Sequence, residues 1–265
     1  MRMMTIASGS SGNCIYIGSD KTHILIDTGI SRKKISEGLK KAELDMSDIT
    51  AVLVTHEHSD HIKGLGVISR KDNIPIYTTK GTWEGIQTSS GLGEIDSELF
   101  NCIKPDESFV LNDLVINPFR VSHDANEPVA YRIECEDKSM AVATDLGFYD
   151  DYIIDNLKGC NSMVIEANHD VNLLQVGSYP YYLKQRILGK QGHLSNESSG
   201  KLIDHLLHDK CSNIFLGHLS KENNYDKLAY ETVKCEIDMS DSEFKAKDFN
   251  ISVARRDEPS QIITV

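Results

Sequence analysis

Positive charge is what this chain of 265 residues has too little of: 28 Lys and Arg stand against 40 Asp and Glu, a formal net charge of −12. Proteins that coat nucleic acid neutralise phosphates with a basic footprint, so this balance excludes a generic nucleic-acid-binding module. It leaves open an enzyme that meets phosphate through bound cations, which can be the largest local charges in a site. Proline is scarce, with six residues, and no low-complexity stretch or single-charge tail reads as a linker. No apolar run approaches the ~20 residues of a membrane span. The opening "MRMMTIASGSSGNC" lacks the apolar core of an export signal. Six scattered cysteines include no CxxC pair, which with no export signal points to reduced, packing thiols in a cytoplasmic protein. Nothing predicts a stable protein partner.

What is present is a chain of short β-branched runs punctuated by Gly and Ser. "MMTIAS", "CIYIGS" and "HILIDTG" read as strands, followed by a helix over about 31–41. "ITAVLVT" reads as a buried strand, after which Ser59 or Asp60 caps a helix running to about Arg70. "IPIYTT" is a further strand, and a short helix begins near Thr82. Residues 98–145 are rich in strands, with turn chemistry at Asn112–Asp113 and Asp137–Lys138. Beyond 150 helices alternate with the strands "SMVIEAN" and "NIFLGH". The helices lie near 150–158, over "YPYYLKQRILG" and "NESSGKLIDHLLH", and from about 225 to 235, and two β-like stretches end the chain. Without a linker, this order predicts one α/β (α+β) domain over 1–265, with sheets inside and helices outside. No internal repeat is strong enough to claim.

Against that background "VLVTHEHSDHIKGL" is anomalous, because His56, His58, Asp60 and His61 fall within six residues. More acids and histidines follow β-like runs: Asp27 after "HILI", His123 after "INPFRVS", Asp145 after "MAVAT" and His218 after "IFLG". Strand ends that open into loops gather at one edge of a sheet, where chemistry is placed. One such histidine is ordinarily a solvated or packed residue; four positions beside a dense cluster are not. His56, His58 and His123 offer three imidazoles to one divalent ion. Asp60, His61 and His218 serve a second, and Asp145 can bridge the two. The set is nitrogen and oxygen without thiolate, which suits Zn²⁺, Mn²⁺ or Fe²⁺ and leaves positions open for water, as in a catalytic rather than a closed structural site.

"THEHSDH" resembles the HxHxDH signature of the metallo-β-lactamase fold, and Asp27, His123, Asp145 and His218 match that fold's other motifs. The resemblance spans about residues 4–220 and implies an αββα sandwich with a dinuclear site at one edge. It also implies that Asp27 braces the HxHxDH loop without ligating. The 73 positions between Asp145 and His218 are too few for the β-CASP insertion of some relatives. "IASGSSGNC", "IEANHD", "GHLSNESSG" and "LGHLSKENN" resemble the YycJ/WalJ (VicX) branch, bacterial cytoplasmic metallohydrolases. That branch implies a metal-dependent exonuclease working 5′ to 3′ on DNA ends, in which hydroxide shared by two ions attacks the phosphodiester. Asp60 and Asp145 then serve catalysis as well as the metals.

His193 in "GHLSN" stands where related tRNA 3′-processing phosphodiesterases keep a phosphate-serving histidine, which implies a role on phosphate or the leaving oxygen. The "SGSSGN" loop can present Ser8, Ser10, Ser11 and Asn13 to a phosphate, or simply turn between two strands. Asn168 and His169, and Asn223 with Asn224, are polar groups that could face substrate or serve the fold. His23, His205 and His208 read as packed or solvated. The competing functions are a glyoxalase II-like thioester hydrolase, an RNA-directed nuclease, and a regulatory protein without turnover. Intact residues at all seven ligand positions speak against the last.

Overall fold

A computed structural model describes residues 1–265 as two seven-stranded mixed sheets. The first half of the chain lays down β1 (Arg2–Ala7), β2 (Cys14–Gly18), β3 (His23–Ile26), β4 (Ala51–Leu53), β5 (Ile76–Thr79) and β6 (Phe100–Ile103). The second half adds β7 (Phe109–Leu111), β8 (Leu114–Arg120), β9 (Val129–Cys135), β10 (Lys138–Ala143), β11 (Ser162–Glu166), β12 (Asn213–Gly217) and β13 (Asn250–Val253). The final strand, β14 (Ile263–Thr264), returns to pair with β1. Both sheets follow one plan. An antiparallel meander, β1–β2–β3 or β8–β9–β10, is continued by three parallel strands, β4–β6 or β11–β13. The halves therefore share a strand order that no repeated residue pattern announces.

Local chemistry accounts for the hairpins. Asn112 at φ 54° and Glu136 at φ 55° begin two-residue turns between β7 and β8 and between β9 and β10. Such turns need positive φ to match strand twist. The second turn lies at Glu136–Asp137, one residue earlier than the Asp137–Lys138 expectation.

Helices cover both outer faces. On the first sheet lie α1 (Arg32–Leu39), the short α2 (Ser59–Ile62), α3 (Leu65–Asp72) and α4 (Lys80–Thr88). On the second lie α5 (Asp151–Leu157), α8 (Asn196–Leu206) and α9 (Asp226–Met239), while α6 (Val171–Val176) and α7 (Tyr181–Leu188) form an excursion between β11 and α8. This is an αββα sandwich, as the sequence implies. One apolar cluster fills the space between the sheets, and two more lie under the helices. Because β11 is covered on both faces, "SMVIE" is buried throughout rather than alternating. Val164 joins the inner cluster and Ile165 the outer one; truncating Ile165 to Ala costs about 2–5 kcal/mol. No helix is long and apolar enough to cross a membrane.

Two differences from the sequence reading bear on the site. The helix expected from Ser59 to Arg70 is broken at Lys63–Gly64 into α2 and α3. There the Gly64 amide donates to the Thr28 carbonyl at 2.7 Å, and a Cβ would sit 2.3 Å from the Ile30 carbonyl oxygen. The loop after β3 thus presses against α2; a Cβ on Gly29 would lie 1.6 Å from the Asp60 carbonyl oxygen. Helix α6, absent from the sequence reading, is capped by Asp170, whose Oδ1 accepts from the Leu173 amide at 2.7 Å.

Candidate metal centre

The C-terminal ends of β3 and β4 build one wall of the site. Asp27 leaves β3 in the left-handed region, φ 61°, and is fully buried. Its Oδ1 accepts from the Thr55 amide at 2.8 Å; its Oδ2 accepts from the Thr55 hydroxyl at 2.8 Å and from His61 Nδ1 at 2.7 Å. The Thr55 oxygen in turn lies 3.0 Å from His56 Nδ1. This network places a proton on Nδ1 of His61 and turns its Nε2 inward. Orienting an imidazole through its second nitrogen is the usual support of a metal-binding histidine.

The opposite wall comes from β8, β10, β11 and β12. His123 follows β8 and donates through Nδ1 to the Gly192 carbonyl at 3.1 Å. Asp145 follows β10 and His218 follows β12, again with left-handed backbones at φ 58° and 56°. Such strained conformations in non-glycine residues cluster at functional sites. Glu166 ends β11, fully buried, and holds this wall together. Its Oε1 accepts from His193 Nδ1 and His218 Nδ1, both at 2.8 Å; its Oε2 accepts from the Leu146 amide at 2.9 Å and the Leu194 amide at 3.0 Å. Burial alone would raise its pKa, but His193 and His218 outweigh that and hold it down to about 2.

The walls meet at short range. His61 Nε2 lies 3.2 Å from Asp145 Oδ2 and 3.5 Å from Asp60 Oδ2, while His218 Nε2 lies 3.2 Å from Asp60 Oδ2. His58 Nδ1 and His123 Nε2 are 3.2 Å apart, and Asp145 Oδ1 is 3.6 Å from His123 Nε2. Donor atoms converge as His56–His58–His123, as Asp60–His61–His218, and as His56–His61–Asp145, each set within 4.8 Å. The fold thus brings together all seven residues that the sequence proposes as ligands, with Asp145 between the two triads.

Divalent cations suit this arrangement. His56 Nε2 and Asp145 Oδ2 are buried without a hydrogen-bond partner, an expensive state for polar atoms unless an ion engages them. The charges agree. Burial would discharge His61, yet Asp145, Asp27 and Asp60 hold its pKa well above the usual value. His218 is opposed by burial in the same way, but Asp145, Asp60 and Glu166 lift it to about 10. Without metal, two imidazolium ions supply the positive charge these carboxylates demand.

The other expected residues fall into two groups. Ser8, Asn13 and Asn168 are buried and bonded into the walls. The Ser8 hydroxyl accepts from the His218 amide at 2.9 Å; Asn13 Nδ2 approaches His61 Nε2 at 3.2 Å; Asn168 Nδ2 donates to the His218 carbonyl at 2.9 Å. Ser10 and Ser11 are exposed at the loop tip, with Arg256 Nη1 at 3.4 and 3.3 Å from their hydroxyls. His169 is buried with neither ring nitrogen bonded, and burial lowers its pKa to about 4. Asn224 bridges the Ala167 and Asn168 carbonyls, and Asn223 packs on Ser220. His23 meets the Tyr16 hydroxyl and His208 the Cys160 carbonyl, away from the site.

The sequence reading misses Glu166, although it ends a strand as the proposed ligands do; from "IEANHD" it names only Asn168 and His169. It also misses Asp124, paired with Arg186 and 3.5 Å from His123 Nε2. Beside His123 opens a cleft of about 530 Å³ whose lining includes Arg120, Phe148, Tyr152 and Gln191.

Residues 22–210 match the β-lactamase superfamily domain. The chain is 41% identical over 236 residues to exodeoxyribonuclease WalJ of Streptococcus pneumoniae, covering 89% of this chain and 88% of that protein. It is 39% identical over 233 residues to exodeoxyribonuclease YycJ of Bacillus anthracis, with 88% of each covered. Among solved structures, Zn²⁺-bound PqqB of Methylobacterium extorquens superposes over 100% of both chains with a TM-score of 0.71 at 14% identity, a likeness of fold.

Proposed function

The chain belongs to the metallo-β-lactamase superfamily, in its WalJ/YycJ branch, and from that premise we propose a dinuclear exodeoxyribonuclease that degrades DNA from 5′ ends. The observation that carries the reading is the Glu166–His193 pair set against Asp145, next to two converging ligand triads. His56, His58 and His123 would hold one ion and Asp60, His61 and His218 the other, with Asp145 reaching both. Zinc, manganese and iron(II) all suit this donor set. Bound there, the ions supply a strongly acidified water and offset charge on the phosphate.

The protein's own residues do the rest. Asp60 Oδ2, 3.2 Å from His218 Nε2, would orient the attacking water. Glu166 fixes the proton of His193 on Nδ1, so Nε2, facing outward from that pair, is the atom that would serve the departing oxygen. Asp27 and Thr55 keep His56 and His61 in register throughout. The cleft beside His123 has room for a nucleotide. Thioester hydrolysis would need no such acid, because a thiolate leaves unaided.

The test is a time course on linear duplex DNA with a 5′-phosphate and an internal label, in Mn²⁺, with Asp60→Ala protein in parallel. Stepwise release of mononucleotides from the 5′ end, lost in the variant, is the expected result. No cleavage by a protein carrying two ions per chain would overturn the DNA assignment and direct the search to RNA and thioesters.

A further inference from the structure

Between β11 and α8 the chain leaves the sandwich through α6 and α7, and the composition of this excursion is unlike the rest. Forty of 265 residues are acidic, yet none lies between Val171 and Asn196, where Lys184, Arg186 and Lys190 all occur. Tyr181 and Tyr182 open α7 at 77% and 74% exposure, the two most exposed aromatic residues of the chain, and nearby Val176 is 82% exposed. Ile187 is the one buried residue of α7. Exposed aromatic residues grouped on one short element mark a binding surface rather than scattered surface composition.

The excursion borders the metal centre. Arg186 pairs with Asp124, which lies 3.5 Å from His123 Nε2. The chain leaves α7 through Lys190, whose ammonium sits 5.7 Å from the Phe148 ring, and through Gly192, whose carbonyl orients His123. His193 follows at once. The Lys184 ammonium is held by the Gln175 and Gly177 carbonyl oxygens, both at 2.7 Å, so its charge has no carboxylate on it.

We infer that the α6–α7 face is the track along which a single DNA strand approaches the metal centre, with bases on Tyr181 and Tyr182 and phosphates on Lys184 and Lys190. The inference rests on the nuclease reading and adds to it where the strand lies. Non-specific single-strand grooves combine these two features, aromatic platforms that accept any base and a basic path for the backbone. A segment without acids of its own, on a protein of charge −12, favours a polyanion along this route.

The test compares wild type with Tyr181→Ala/Tyr182→Ala and Lys190→Gln, metal-loaded, with thermal melts to confirm folding. Binding is read by fluorescence anisotropy with phosphorothioate-linked dT12 in Mn²⁺. Turnover is read as the gain in kcat/KM from a trinucleotide to a dodecamer. The double variant is expected to bind at least about tenfold more weakly and to lose that gain. Lys190→Gln is expected to lower the slope of log Kd against log salt by about 0.7. Wild-type affinity and length dependence in the double variant would overturn the track and leave the nuclease reading intact. The reverse result, binding that depends on the tyrosines without cleavage of any DNA, would sink the nuclease reading and keep the track. Binding of this face to anionic vesicles, with no preference for dT12, would also overturn it.

Discussion

Asp27 leaves β3 and Asp145 leaves β10, the third strands of two meanders built to one plan, and both adopt left-handed backbones. Their surroundings differ. Asp27 has its oxygens occupied by Thr55 and His61, whereas Asp145 Oδ2 is buried without a hydrogen bond and faces His61 across 3.2 Å. The same divergence runs through the next strands. The loop after β4 and the short α2 that follows carry the whole His56–His61 cluster, while β11 ends in Glu166, which supports histidines without joining them as a proposed ligand. The strand β12 delivers His218, but its counterpart β5 ends in Thr79, which caps α4. One strand plan, used twice, yields a half that packs its ligands in sequence and a half that assembles them from distant strands.

The contrast is broken most severely at Asp145. Asp145→Ala is expected to lower turnover by about a thousandfold or more, since it takes the oxygens from between both ion positions. Metal analysis should then find fewer than two ions per chain; an unchanged count would put the bridging role elsewhere. His193→Ala probes the assembled half without touching a proposed ligand. Turnover should fall about a hundredfold or more with metal content unchanged. Loss of metal along with rate would make His193 a ligand rather than an acid.

Asp27→Ala is the mirror experiment to Asp145→Ala, and its effect should be smaller. Metal affinity is expected to weaken about 10–100-fold, as happens when a ligand loses its orienting partner, while saturating Mn²⁺ restores most turnover. A defect that metal cannot rescue would show that the two aspartates are not divided between bracing and bridging. The smallest effect is predicted at Ser8→Ala, which leaves the buried His218 amide without its acceptor. A cost of about 1–3 kcal/mol, seen as a fall of several degrees in Tm, is expected with metal content retained.

How much of this could be read beforehand follows the same division. His56, His58, Asp60 and His61 are legible because a short loop joins β4 to α2, so sequence proximity becomes spatial proximity. His123, Asp145 and His218 were reachable only by noting where β-like runs stop. Glu166 met that criterion and was passed over, because its partners, His193 and His218, lie 27 and 52 residues away. The break at Gly64 was unreadable for another reason. Its cause is the carbonyl of Ile30, a contact across the fold that leaves no mark on the local helical pattern. The strand repeat was invisible because sheet order depends on backbone pairing, which many different side chains satisfy.

The most direct test of the central claim is a metal-loaded crystal structure read by anomalous scattering, with ion count and positions as the observables. The account predicts two ions about 3.5–4 Å apart, one on His56, His58 and His123 and the other on Asp60, His61 and His218, with Asp145 contacting both. A single ion, or a pair that leaves Asp145 without contact, would contradict it.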